Sequence, residues 1–172
     1  STTSTTTWSA MGTRVVVEVE GSPGLLDVAR DRIAELEARW SRFLPGSDVS
    51  RLNLTRGLPV FVHPDTRRLV RHGIAAWERT GGACDPTVLD AVVASGYDVS
   101  FEQLAGRHAA RGEVPIVPGC GGIEVDDALG CVTMPPMVGF DPGAIGKGLA
   151  ADLVADTLML HGASAAFVSI GG

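Results

Sequence analysis

Asp141-Pro142-Gly143-Ala144-Ile145-Gly146-Lys147-Gly148-Leu149-Ala150-Ala151-Asp152 lies between an apolar stretch and a helical pattern, and its reading organises the rest of the sequence. Upstream, Met137 to Phe140 reads as a strand. Downstream, the pattern predicts a helix that reaches His161 and stops at Gly162. Glycines at 143, 146 and 148 let main chain come close to a ligand. Free N–H groups at a helix start favour anions, and Lys147 adds a full positive charge. This is chemistry suited to a pyrophosphate. It is not a Walker A loop, because Gly148 rather than Ser or Thr follows Lys147. From spacing alone, a glycine-rich turn that merely opens a helix, with Lys147 in solvent, fits equally well.

Outward from this segment, helices and strands alternate. Arg14 to Val19 reads as a strand of β-branched residues, and Asp27 to Trp40 as an amphipathic helix through Val28, Ile33, Leu36 and Trp40. Ser41 to Asn53 reads as a loop around Pro45-Gly46-Ser47-Asp48. Pro64 to Thr80 is a second helix ended by Gly81-Gly82, and a short helical piece follows Pro86. Residues 98–113 are charged and read as an exposed connection with a helical turn. Asp126 to Gly130, between Ile123–Val125 and Cys131–Met134, is a β-hairpin signal. Ala165 to Ile170 is a last apolar strand before Gly171-Gly172. Its alternate faces are both apolar, which suits a strand interior to a complete sheet, so this chain alone is expected to leave an open sheet edge and an exposed apolar patch beside Ala144 and Lys147. The fold class expected is a layered α+β arrangement of mixed sheets and packed helices. Residues 1–7 form a hydroxyl-rich flexible tail and residues 8–172 one domain.

Composition narrows the function. The 172 residues are 45% apolar, enough for a real core, with aromatics sparse and 22 glycines. A net charge of −6 argues against a broad nucleic-acid surface, so no nucleic-acid partner is expected. It also means that a polyanionic ligand needs local help. Cys84, Cys120 and Cys131 are odd in number and lack metal-type spacing, which disfavours a disulfide framework and structural zinc. No apolar run approaches about 18 residues, so no transmembrane segment is expected.

Three further segments carry chemistry. In Thr80-Gly81-Gly82-Ala83-Cys84-Asp85-Pro86-Thr87, the proline holds Asp85 away from helical geometry. Its carboxylate is then either fixed toward a site or used, like Thr87, as a helix cap; the cap is the commoner outcome. Trp40 to Asn53 combines Phe43 with serines, arginines and an asparagine, and Phe43 is either a stacking surface or core. Met11-Gly12-Thr13 precedes the first strand and says little by itself.

Taken in order, these four segments, with the last strand, resemble the ApbE family of flavin transferases. Met-Gly-Thr before the first strand, SRFLPGSDVSRLN, GGACDPTV, DPGAIGKGLAAD and the closing VSIGG are each similar to a family segment. The resemblance runs from Trp8 to Gly172. Pro142, Gly146 and Cys84 depart from the usual family residues. Relatives continue beyond Gly172 into an H-x-x-D-P-x-T-like segment whose aspartate and threonine would complete the metal site; for this chain that part is expected to be a separate polypeptide, a lost fragment or absent. The resemblance implies FAD contacts at Met11, Phe43, Ala83, Cys84, Asp85, Asp141 and Lys147. It gives Lys147 and Asp141 catalytic roles and assigns the Ala144 carbonyl to Mg²⁺. The implied reaction moves FMN from FAD to a Thr or Ser hydroxyl of an acceptor flavoprotein, with AMP leaving. A related FAD hydrolase giving FMN and AMP, or a flavin-binding module without activity, would share most of these residues. His63, His72, His108 and His161 lie outside the segments and are expected at the surface or at helix caps. The absence of a visible signal peptide or lipobox cysteine favours a cytoplasmic location, although many relatives are exported.

Overall fold

A computed structural model describes residues 2–96 and 116–172. The connection expected over 98–113 lies outside the described residues. The chain divides into two compact units, residues 1–38 with 146–172, and residues 39–145.

The first unit is built on strands β1 (Thr3–Ala10), β2 (Thr13–Glu20) and β6 (Ala165–Ile170), in the order β1-β2-β6 and antiparallel throughout. β1 corrects the expectation of a flexible tail over 1–7, since Thr3–Thr7 pair with Val16–Glu20. The reason is physical: a run of β-branched threonines suits a strand, and Met11-Gly12 makes the tight turn that folds it back. Both turn residues have positive φ, 53° and 69°. That is the twist a two-residue hairpin needs. Val15, Val17 and Val19 are fully buried, whereas Arg14 and Glu18 on the other face are exposed. Helix α5 (Gly146–Leu160) packs against β6. Helix α1 (Leu25–Trp40) turns Leu25, Ala29, Ile33 and Leu36 inward at helical spacing. Its Arg30 stacks 4.5 Å from the Trp8 ring centroid and bonds the Thr6 hydroxyl. β6 is paired by β2 on one edge, and among the described residues no strand pairs its other edge. Phe167 on this strand is 59% exposed, in keeping with the open edge and exposed apolar surface expected of this chain taken alone.

In the second unit a three-stranded antiparallel sheet, β3 (Pro59–Phe61), β5 (Cys131–Thr133) and β4 (Glu124–Asp126), runs in the order β3-β5-β4. The expected hairpin is β4-β5, with Asp126 opposite Cys131. Helix α3 (Pro64–Arg79) buries Thr66, Leu69, Val70, Gly73 and Ala76 and starts at His63, whose ring accepts the Asp65 N–H. Helix α4 (Leu89–Ala94) is the short piece expected after Pro86. Two expectations are corrected here. Asp48–Leu54, read as loop, is helix α2: Ser47 caps it by accepting the Ser50 N–H at 3.0 Å, and Val49 and Leu52 anchor it in the core. Met137–Phe140 is not a strand. A turn from Pro135 to Val138 bends it, and the peptide groups of Phe140 bond the Asn53 side chain instead of a neighbouring strand.

Candidate functional site

Three of the four sequence segments meet inside the second unit. Asn53 grips Phe140 from both sides, its amide donating to the carbonyl at 2.8 Å and its oxygen accepting the N–H at 2.7 Å. This sets the next residue, Asp141, whose own N–H donates to the Pro86 carbonyl at 2.7 Å. The turns around 85–87 and 141–143 are thereby tied together. Gly73 on α3 lies beneath them: a Cβ there would come 3.0 Å from Pro86 and Ile145 and 3.3 Å from Phe140.

The Asp141 carboxylate is held by two partners. Oδ1 accepts the Gly143 N–H at 2.9 Å, and Oδ2 faces Arg42 Nε at 3.3 Å in an ion pair whose side chains are only 13% and 14% exposed. The Arg42 guanidinium also lies 4.2 Å from the Phe43 ring centroid. Phe43 is not core, as one sequence reading allowed; it is 41% exposed. Serines shape this loop, since Ser47 Oγ donates to the Ser41 carbonyl and Ser50 Oγ to that of Arg42.

Asp85 turns its carboxylate inward to its own loop. Oδ1 accepts both the N–H and the hydroxyl of Thr87, at 2.8 and 2.6 Å, and Thr87 Oγ1 in turn accepts the buried Gly119 N–H. Neither residue caps α4 by side chain. Ala83 and Cys84 fold back on Thr80, the C-cap of α3. Cys120, buried nearby, has its thiol pushed up to about 12 by burial first, and then by the charge of Asp85.

Met11 and Lys147 belong to the first unit. Met11 takes its left-handed turn conformation with its N–H donating to Glu37 Oε1 at 2.7 Å. Lys147 is the second residue of α5. Its stem lies against Gly171: with φ of 75°, a Cβ at Gly171 would sit 3.0 Å from Thr13 Oγ1 and 3.3 Å from Lys147 Cδ. Thr13, Lys147 and Gly171 are therefore neighbours, a grouping that sequence order does not show. Sequence reasoning quoted Arg42 and Asn53 within a segment but gave them no role; an arginine beside an aromatic was the available signal. Glu37, which fixes Met11, had none.

Ala144 precedes Ile145 at the end of the second unit and offers a main-chain carbonyl. Among the described residues no three His, Cys, Asp or Glu side chains are grouped to hold a metal ion, and no helix is long and apolar enough to cross a membrane.

Small antiparallel sheets bearing helices define an α+β protein, and every residue assigned from the sequence stands on a loop or at an element end. The chain matches the model of the ApbE family over residues 11–172, and it belongs to that family. Solved structures bear out the architecture. An ApbE protein from Thermotoga maritima is 24% identical with a TM-score of 0.82, over 99% of this chain and 57% of that one. The flavin transferase ApbE from Vibrio cholerae is 24% identical with a TM-score of 0.79, over 99% and 58%. The apo flavinyl transferase ApbE of Pseudomonas stutzeri is 22% identical with a TM-score of 0.80, over 99% and 57%. The chain thus spans a little over half the length of these solved relatives. No curated protein matches it.

Proposed function

We propose that this chain is part of an FAD:protein FMN transferase. The observation that carries this reading is the convergence of the Arg42-Phe43, Ala83–Asp85 and Asp141 segments on one tied set of turns, in a chain matching the ApbE family over 11–172. The relatives named flavin transferase support the same reading.

FAD fits the residues present. Phe43 offers a part-exposed ring for stacking. Gly143, Gly146 and Gly148 keep side chains away from main chain, and Gly148 has open space where a Cβ would stand. Lys147 at the start of α5 brings a positive charge to a helix N-terminus, suited to a pyrophosphate. In the reaction, a Thr or Ser hydroxyl of the acceptor flavoprotein attacks the FMN-side phosphorus. A new O–P bond forms, the bridging P–O bond breaks, AMP leaves, and the hydroxyl proton is released. Such transfers depend on positioning and on stabilising charge at the phosphoryl oxygens, the role given to Lys147.

The resemblance to the family also implies dependence on magnesium. The Ala144 carbonyl would supply one of the about six oxygens that Mg²⁺ takes. Its remaining ligands are assigned to further polypeptide, which we propose as the complement of this chain.

The test is incubation with FAD, with and without an acceptor peptide of D-x-[ST]-[GS]-[AS]-T type, followed by mass spectrometry. Gain of one FMN on the peptide with one AMP released supports transfer. AMP and free FMN without peptide labelling identifies a hydrolase. Uptake of FAD without AMP release identifies a binding module.

A further inference from the structure

Arg42 carries an interaction pattern that neither the family segments nor the sequence reading assigned. Its side chain is largely buried, and two groups expected at flavin converge on it: the Asp141 carboxylate at 3.3 Å and the Phe43 ring at 4.2 Å. Its main chain is fixed as well, since the Arg42 carbonyl accepts the Ser50 hydroxyl at 3.2 Å and Ser50 belongs to the first turn of α2. The Asp141 carboxylate is thus aimed from one side by the Gly143 N–H and from the other by the guanidinium.

We propose that Arg42 is a positioning residue for flavin binding, one that holds Asp141 and Phe43 as a single unit and offsets the Asp141 charge where a pyrophosphate must approach. This rests on the reading of FAD as the substrate. Two physical arguments support it. An uncompensated carboxylate repels a dianionic pyrophosphate, and a guanidinium within ion-pair distance cancels most of that repulsion. A planar cation over one face of an aromatic ring also fixes the ring and leaves its other face for a ligand. Arginine does both at once; lysine offers a charge but no plane.

The experiment measures FAD affinity by quenching of flavin fluorescence for the protein and for Arg42→Gln, Arg42→Lys, Asp141→Asn and the Arg42→Gln/Asp141→Asn pair. Thermal midpoints are recorded alongside. The expected result is a rise in Kd of about tenfold or more for Arg42→Gln, with part of it recovered by Arg42→Lys. In the Asp141→Asn background, Arg42→Gln should change Kd by a much smaller factor, because the two residues act as a pair. An Arg42→Gln protein that binds FAD as the parent does overturns the proposal and leaves the flavin reading standing. Losses that multiply independently in the double variant also overturn it, since a residue that only packs the loop gives the same factor in both backgrounds. A parent protein that takes up no FAD removes the flavin reading, and this proposal with it.

Discussion

Asn53 satisfies both main-chain groups of Phe140, 87 positions away, with its amide nitrogen 2.8 Å from the carbonyl and its oxygen 2.7 Å from the nitrogen. The contact joins α2 to the turn that presents Asp141. Replacing Asn53 with Leu leaves a fully buried residue's peptide without either partner. The expected loss is about 1–3 kcal/mol per unsatisfied group. Urea unfolding of Asn53→Leu measures it, and a stability equal to the parent's would show that water replaces the amide.

Asp48 makes stability depend on acid. Burial raises its carboxyl pKa, but hydrogen bonds from the Thr66 hydroxyl, the His63 N–H and Arg51 outweigh this and leave it below its ordinary 3.8. The folded state therefore binds this proton less tightly than the unfolded chain. Its contribution is complete above the unfolded value and is lost as pH falls through the lower folded value. Unfolding free energies measured from about pH 7 down to about pH 2 should fall less steeply for Asp48→Asn than for the parent. At neutral pH the variant should be the less stable of the two.

Lys147 is expected to act on the chemistry more than on the fold. Its stem rests on Gly171, and its head is the cation assigned to the developing phosphoryl charge. Lys147→Ala should lower turnover of FAD by about 10²-fold or more, by analogy with loss of one transition-state donor. Parent-like turnover would return Lys147 to the role of a solvated residue in a helix-opening turn.

The three thiols should differ in reactivity. Cys84 is part-exposed, whereas Cys120 and Cys131 are buried. Cys120, raised to about 12, holds almost no thiolate at mild pH. Brief alkylation of the folded protein at about pH 8 should label Cys84 first, and unfolding should release the other two. Peptide mass spectrometry gives the order, and early labelling of Cys120 would contradict its burial.

Much was legible in the sequence where the signal is local. The apolar spacing of α1 and α3, the Gly81-Gly82 stop, the 126–130 hairpin and the helix after Lys147 each follow from side-chain period and turn chemistry within a few residues. The ordered segments also carried the family, since short motifs survive where the overall identity to solved relatives is 22–24%. What the sequence could not decide depends on partners far along the chain. Thr3–Thr7 are a strand because β2 is there to pair with them. Met137–Phe140 are not, because Asn53 takes the hydrogen bonds a strand would use. Whether Asp85 and Asp141 face a ligand or the fold is likewise a question of which groups arrive beside them: Thr87 in one case, Arg42 in the other. Propensity and periodicity act within a turn or two of chain, while hydrogen-bond saturation is settled among neighbours in space, and only the tertiary structure says who they are.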